Sequence, residues 1–372
     1  MSKLDALPLG SEEFGLVVKR VRVFPRWPLQ IGVPVAATVV ATLIGLVIIA
    51  STGTPLEDAV AAFWDGMAGS TFNVGASINR AVSLGFVGLG FIFANRANLT
   101  NVGGEGQLAM GGMFATAMAL HGAAALPFGL AFLLPLIVGT AAGGVLGGIA
   151  GVLKARRGTN EVISTLLLTF TALPLVYWSV QSFYLLRKPL SPLSSLPESP
   201  EIPEATRLPL LFPSDQTSPL HLGLPLAILA VIVVAVVLQR GSLGLKLRAV
   251  GLNQVAARRA GIQSGSLIII AMTVSGGLAG LAGAIMILGE QFYLTNDFSS
   301  GYGFDGLVVG LLSRGSAFGV VLGALLFGFL RSGSINMEIT AHVPSAIVLI
   351  CQGLIVIMIA GSAIFVERMG RR

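Results

Sequence analysis

The sequence predicts an all-α fold, a polytopic transmembrane helical bundle of about ten segments. Three observations predict it. Of 372 residues, 54% are hydrophobic and only 11% are charged, against roughly 25% charged in soluble domains. Mean hydropathy is +0.86, too high for a chain that must present its outer face to water. The apolar residues fall in runs of the length that a helix needs to cross a hydrocarbon core about 30 Å thick. The net charge of +6 does not read as a nucleic-acid footprint. Lys and Arg sit in short clusters between apolar runs, as membrane anchors do.

Residues 1–29 form a basic N-terminal segment, with Lys19, Arg20, Arg22 and Arg26 ahead of the first apolar run. That run is long enough to span and no small-residue cleavage site follows it, so it reads as a retained helix rather than a signal peptide. Spans are expected near 30–50, 74–94, 106–121, 126–152, 161–183, 222–239, 265–289, 303–313, 316–331 and 343–365, a transmembrane domain over 30–366. The eighth and ninth are short, and read as half-helices meeting at Ser313-Arg314-Gly315 or as one broken span. Residues 367–372 form a basic tail. Residues 51–72 read as a loop carrying Glu57, Asp58 and Asp65 but no Lys or Arg.

The positive-inside rule then sets orientation. Alternation puts the N-terminus, Arg96, the Lys154–Arg157 cluster, 240–264, Arg314 and the C-terminal Arg368, Arg371 and Arg372 on the cytoplasmic side, an N-in and C-in arrangement. Arg187, Lys188, Arg207 and Arg331 fall on the other side and count against it. The first three lie in a long loop, where the rule is weaker.

Two hydrophilic stretches interrupt the spans. Residues 187–219 contain eight prolines, from Pro189 to Pro219, too many for a continuous helix. They read as an external loop, either a spacer or a docking surface. Residues 240–264 are basic and too long for a simple turn. Within them Asn253 suits an N-cap and Gly261 a C′ position, which marks a short helix between them.

Glycine is abundant, with 48 residues. Gly143, Gly144, Gly147, Gly148 and Gly151, and likewise Gly276, Gly280 and Gly283, recur at one-turn spacing, which lets helices approach closely in lipid.

Enzyme signals are lacking. No phosphate-binding G-x-x-x-x-G-K motif appears, so the chain itself should not hydrolyse ATP. Gly301-Tyr-Gly-Phe-Asp-Gly306 matches G-x-G-x-x-G but follows no strand, so it does not read as a dinucleotide site. Asn98-Leu-Thr100 is a sequon on the inner side, and is discounted. Cys351 is alone and cannot form an internal disulfide. His121, His221 and His342 lack metal-ligand spacing.

What remains is a set of polar residues within apolar spans, which are expensive in a bilayer and usually face the bundle interior or a water-filled route. They are Asn79 and Arg80; Asn101, Glu105 and Gln107 in a Gly-rich stretch; Asn160 and Glu161 opening a span; and Asp305, preceded by Glu290, Gln291, Asn296 and Asp297. Each reads either as a contact on the route or as a structural cap or break. Transporters place irregular backbone where it lines a cavity, so the two readings are compatible.

Four stretches carry a resemblance: Asn101-Val-Gly-Gly-Glu-Gly-Gln107, Thr159-Asn-Glu-Val-Ile-Ser-Thr165, Gly251-Leu-Asn-Gln-Val-Ala-Ala-Arg-Arg-Ala-Gly-Ile262 and Gly301-Tyr-Gly-Phe-Asp-Gly306. With them the chain resembles the ABC-importer permease family that includes branched-chain amino acid and ribose permeases, and most closely its nucleoside (simple sugar) branch. The likeness covers roughly residues 30–365. It implies a transport subunit of the bacterial cytoplasmic membrane, with no cofactor on this chain and with ATP and Mg on a partner ATPase. The implied partners are a second, similar permease subunit forming a heterodimer, a cytoplasmic ABC ATPase, and an extracytoplasmic substrate-binding lipoprotein. Residues 240–264 become the coupling segment, with Gly251, Asn253, Ala256, Ala257, Arg258 and Gly261 as the motif positions facing the ATPase. Selectivity is expected to reside mainly in the binding protein. The substrate reads as a nucleoside or a related purine or pyrimidine compound. The alternatives are a simple sugar or a branched-chain amino acid, and an ion-coupled carrier using Glu105, Glu161 or Asp305.

Overall fold

The structure, a computed structural model, describes residues 53–344 apart from 128, 190–195 and 216, and scattered positions within 36–51 and 347–358. The N-terminal segment 1–29, Cys351 and the tail 367–372 lie outside the described residues, as do parts of the segments expected near 30–50 and 343–365.

The described regular structure is helical, apart from two isolated antiparallel bridges, Glu198 with Thr295 and Leu210 with His221. In chain order the helices are α1 (Leu56–Ala68), α2 (Thr71–Asn95), α3 (Gly104–Met118), α4 (Leu130–Arg157), α5 (Glu161–Gln181), α6 (Gly223–Gln239), α7 (Ser242–Leu252), α8 (Gln254–Arg259), α9 (Ser264–Met286), α10 (Tyr302–Leu312) and α11 (Ala317–Ala341). A π-helical turn extends α3 over Ala119–Ala123, and another extends α9 over Ile287–Gln291. Among the described residues five helices are long and apolar enough to cross a membrane: α2, α4, α5, α9 with its π turn, and α11. A sixth span results if α6 and α7, which meet at a 63° bend, count as one.

Local chemistry sets the ends. Ser70 caps α2 by accepting the Asn73 N–H at 3.1 Å, and Ser316 caps α11 through the Gly319 N–H at 3.3 Å. Asn160 accepts the Val162 N–H at 2.9 Å and so opens α5. Gly158, left-handed at φ 69°, closes α4 just before it. Such caps satisfy N–H and C=O groups that a helix leaves orphaned at its ends.

The most extensive helix packing in the bundle is a close crossing of α4 on α9. Gly139, Gly143 and Gly147 face Gly276 and Gly280. A Cβ placed on Gly280 would lie 2.5 Å from the Gly139 carbonyl oxygen and 2.9 Å from Gly143 Cα. The obstruction is backbone, which cannot rotate away. Dispersion between two bare helix surfaces replaces the hydrophobic drive that lipid does not supply. Gly280→Ala is therefore expected to destabilise the bundle by about 1–3 kcal/mol, and Gly280→Leu to prevent stable assembly. Gly265→Ala, where the new methyl meets only Ala155 Cβ at 3.9 Å, should be neutral. Thermal midpoints in detergent check all three.

Two helices start inside the bundle rather than at its ends. After α2, the chain turns through Asn98 at φ 57° and climbs back. Gly104, the first residue of α3, rests against Val87, where a Cβ would lie 3.1 Å from Val87 Cγ1. Val87 is eight residues before the end of α2, or about 12 Å along the helix axis. α10 runs beside the same half of α2, with Gly306 against Val87 and Gly310 against Phe91. The N-termini of α3 and α10 thus meet deep in the bundle, where Gly303 packs on Gly104 and Glu105.

Three expectations need correction. Residues 51–72 are not a plain loop: α1 occupies 56–68 and packs on α11, with Gly66 against Asn336 and Gly333 against Phe63. The segment expected at 316–331 is not short. α11 continues to Ala341, because α1 covers its polar last turns. Arg331, expected at the outer end of a span, lies well inside α11 and is buried. The 187–219 stretch is helix-poor as expected, yet its described part is pinned. Ser199, Ile202 and Leu208 donate their N–H groups to the Leu294, Phe292 and Leu288 carbonyls at 2.8–2.9 Å, closing it over the end of α9.

Candidate functional site

The junction of α3 and α10 is organised by one carboxylate. Glu105 is 3% exposed. Its Oε1 accepts the Ser299 hydroxyl at 2.6 Å and the Gly301 N–H at 3.0 Å, and its Oε2 accepts the Gly303 N–H at 2.6 Å. It sits in the first turn of α3 and caps the first turn of α10, so the positive ends of two helix dipoles converge on one negative charge. Gly301, left-handed at φ 80°, aims those amides at it.

Asn101 and Gln107 form a reciprocal amide pair behind this junction. Asn101 Nδ2 donates to Gln107 Oε1 at 2.8 Å, and Gln107 Nε2 donates back to Asn101 Oδ1 at 3.1 Å. Asn101 also donates to Ser275 Oγ of α9 at 2.9 Å and accepts the Gly103 N–H at 3.0 Å. The Val102 N–H reaches Thr165 Oγ1 of α5 at 3.2 Å. The two motifs at 101–107 and 159–165 are therefore one assembly in space. At its edge, Lys154 Nζ pairs with Glu161 at 2.8 Å, tying the end of α4 to the start of α5.

Asp305, one turn into α10, pairs with Arg331 of α11. Arg331 also donates to the Ser300 carbonyl, and its guanidinium lies 4.0 Å above the Tyr302 ring. On α2, Asn79 is buried and donates to the Pro219 carbonyl at 2.7 Å. Arg80 donates to Ser332 Oγ at 2.8 Å.

The 240–264 stretch is two helices. Asn253 Oδ1 accepts the Val255 and Ala256 N–H groups, each at 3.0 Å, and so starts α8. Gly261, at φ 80°, ends it, and the Ile262 N–H returns to the Ala257 carbonyl. Ala257 is buried and Arg258 donates to Ser264 Oγ at 2.7 Å, which fixes α8 against the start of α9. Gly251 backs onto the Arg96–Asn98 turn. Leu252, Val255 and Ala256 face outward, Leu252 at 78% exposure. A short capped helix thus presents apolar side chains at the basic end of the bundle.

Residues 73–360 match the family described as the branched-chain amino acid transport system, permease component. The chain belongs to this family. It is the permease subunit of an ABC importer, and such subunits are not themselves enzymes. Membership implies association with an ATPase and a substrate-binding protein. The chain is 35% identical over 333 residues to the guanosine ABC transporter permease of Bacillus subtilis, covering 89% of this chain and 93% of that one. It is 33% identical over 352 residues to the glucose ABC transporter permease of Haloferax volcanii, covering 92% and 90%. It is 30% identical over 330 residues to a nucleoside ABC transporter permease of Lactococcus lactis, covering 88% and 90%. No solved structure matches.

In this permease the polar positions read from the sequence separate into groups. Asn101, Glu105, Gln107, Asn160 and Glu161 hold helix ends together. Arg80 of α2 and Asp305 of α10 are both tied to α11, by Ser332 and Arg331, while Asn79 holds the Pro219 carbonyl. Sequence reasoning missed Arg331 and Ser299 as partners. Arg331 carried a usable signal, a charge inside an apolar run. Ser299 carried none.

Proposed function

We propose that this permease imports nucleosides or related purine and pyrimidine compounds by alternating access, driven by ATP hydrolysis on a separate subunit. The observation that carries the reading is the 35% identity, over 89% of the chain, to a permease named for guanosine. The nucleoside permease relative supports it. The glucose permease relative, at 33% identity, favours simple sugars as the second reading.

In this reading the bundle has ten segments with both termini in the cytoplasm, and its basic end faces the cytoplasm. α8 is the coupling helix. Gly251, Ala257, Arg258 and Gly261 hold it on the bundle, Asn253 starts it, and Ala256 with its neighbours enters a groove on the ATPase, which carries ATP and Mg. A second, distinct permease subunit completes the route in the bacterial cytoplasmic membrane. A substrate-binding lipoprotein docks at the opposite end, where the described part of 187–219 folds over α9. Ion coupling has less support. Glu105, Glu161 and Asp305 are each engaged by fixed donors or a fixed cation.

Cells with and without the gene, supplied with labelled guanosine, adenosine and uridine, test the reading. Gene-dependent uptake is expected to disappear on ATP depletion and to survive an uncoupler that spares ATP. Uptake lost with the uncoupler alone contradicts ATP coupling. Gene-dependent uptake of glucose with none of the three nucleosides transfers the conclusion to sugars.

A further inference from the structure

Four buried polar atoms without hydrogen-bond partners gather at the end of the bundle away from the basic clusters. They are Asn79 Oδ1 and Ser83 Oγ of α2, His221 Nε2 just before α6, and Glu290 Oε1 in the π turn after α9. Contacts join the segments that carry them. Asn79 and Ser83 stand one turn apart on α2, with Arg80 beside them. Asn79 holds the Pro219 carbonyl, and two residues on, the His221 ring packs against Gly289, next to Glu290. The Arg80 charge acts on the Glu290 carboxyl, and both act on the Tyr302 phenol.

An unpaired buried polar atom costs about 1–3 kcal/mol, and nothing in a bilayer core relieves it. Glu290 lies in the π turn that ends α9, and Phe292 closes that turn, left-handed at φ 62°. The turn buries Ile287 and Leu288 and carries the Glu290 carboxyl with them, which makes an acceptor-rich station. Glu290 offers a carboxylate oxygen, Asn79 an amide oxygen and Ser83 a hydroxyl. His221 Nδ1 accepts the Gly223 N–H at 3.0 Å, so its neutral Nε2 is left as a donor. Arg80 holds Ser332 through Nη1.

We propose that Glu290, with Asn79, Arg80 and Ser83, is a binding station that contacts the permeant itself, and that the Glu290 carboxylate accepts paired N–H donors of a nucleobase. The proposal rests on the nucleoside reading of function. A carboxylate matches the adjacent N1–H and 2-amino group of guanine with two parallel hydrogen bonds. Hypoxanthine keeps N1–H but lacks the 2-amino group, so it loses one of the pair. The station adds selectivity within the route to whatever the binding protein supplies.

The test uses the complete importer in proteoliposomes, with its ATPase, partner permease and binding protein, and compares transport of guanosine with inosine. Glu290→Gln and Glu290→Ala are each expected to lower the guanosine-to-inosine rate ratio at least about fivefold, from loss of a charge-assisted hydrogen bond. The same binding protein serves all forms, so its own preference cancels from the change. Co-purification of all subunits shows that the variants assemble. Equal losses for both nucleosides, or an unchanged ratio, overturn the station and leave Glu290 a structural residue. If Glu290→Ala does not assemble, Ser83→Ala and Glu290→Gln carry the comparison under the same criterion. An unmutated importer that carries neither nucleoside contradicts the functional reading instead, and is thereby told apart from failure of the station.

Discussion

Glu105→Ala is expected to leave little folded protein. The substitution removes one carboxylate and strands three donors, the Ser299 hydroxyl and the Gly301 and Gly303 amides, in a site where Glu105 is 3% exposed. Each stranded donor costs about 1–3 kcal/mol. Two helix N-termini also lose the charge that offsets their dipoles, worth up to about 2 kcal/mol in a buried setting. The total approaches the whole stability of an ordinary domain, about 5–15 kcal/mol. Glu105→Gln keeps the shape and one strong acceptor, and should fall between. Membrane yield and thermal midpoint in detergent are the measurements. A Glu105→Ala midpoint within about 4 °C of the unmutated protein, or roughly 1–2 kcal/mol, contradicts the account of this junction.

The second large effect is expected at the opposite kind of position, on the surface. Ala256 is exposed on α8 beside Val255, which is 61% exposed. Ala256→Glu therefore should not disturb yield or thermal midpoint. In the proposed contact with the ATPase it places an unpaired charge, and such a charge costs several kcal/mol when desolvated. Co-purification of the ATPase and ATP-driven uptake should both fall by at least about tenfold. Retained co-purification with normal uptake removes α8 from the coupling role. Selective loss of transport with the ATPase still bound places α8 in signal transmission rather than in docking.

The two positions also show what the sequence discloses. Helix caps are local chemistry, so Asn253 and Gly261 are readable as the ends of a short helix, and the structure has α8 between them. The small-residue spacing in α4 and α9 is readable too, because closely approaching helices need it, and those glycines do face one another. Depth is not readable. Nothing in 96–104 states that the chain climbs about 12 Å back into the bundle before α3 begins, since hydropathy does not distinguish a polar loop in water from one buried among helices. α1 was missed because Glu57, Asp58 and Asp65 make 56–68 too polar for a span, and its apolar face is set by α11. The polar end of α11 was missed for the reciprocal reason. Ser332, Asn336 and Glu338 end the hydropathic run, whereas contact with α1 sustains the helix. The grouping of Asn79 and Arg80 with Glu290 depends on two separate elements, α2 and a π turn that the sequence does not announce.

The most direct test of the account is guanosine accumulation in proteoliposomes that hold the permease, its partner subunits and the binding protein, with ATP supplied on one face at a time. The account predicts accumulation only when ATP and the basic end of the bundle share one side, the binding protein is on the other, and no ion gradient is present. Accumulation driven by a pH or Na⁺ gradient without ATP would contradict it.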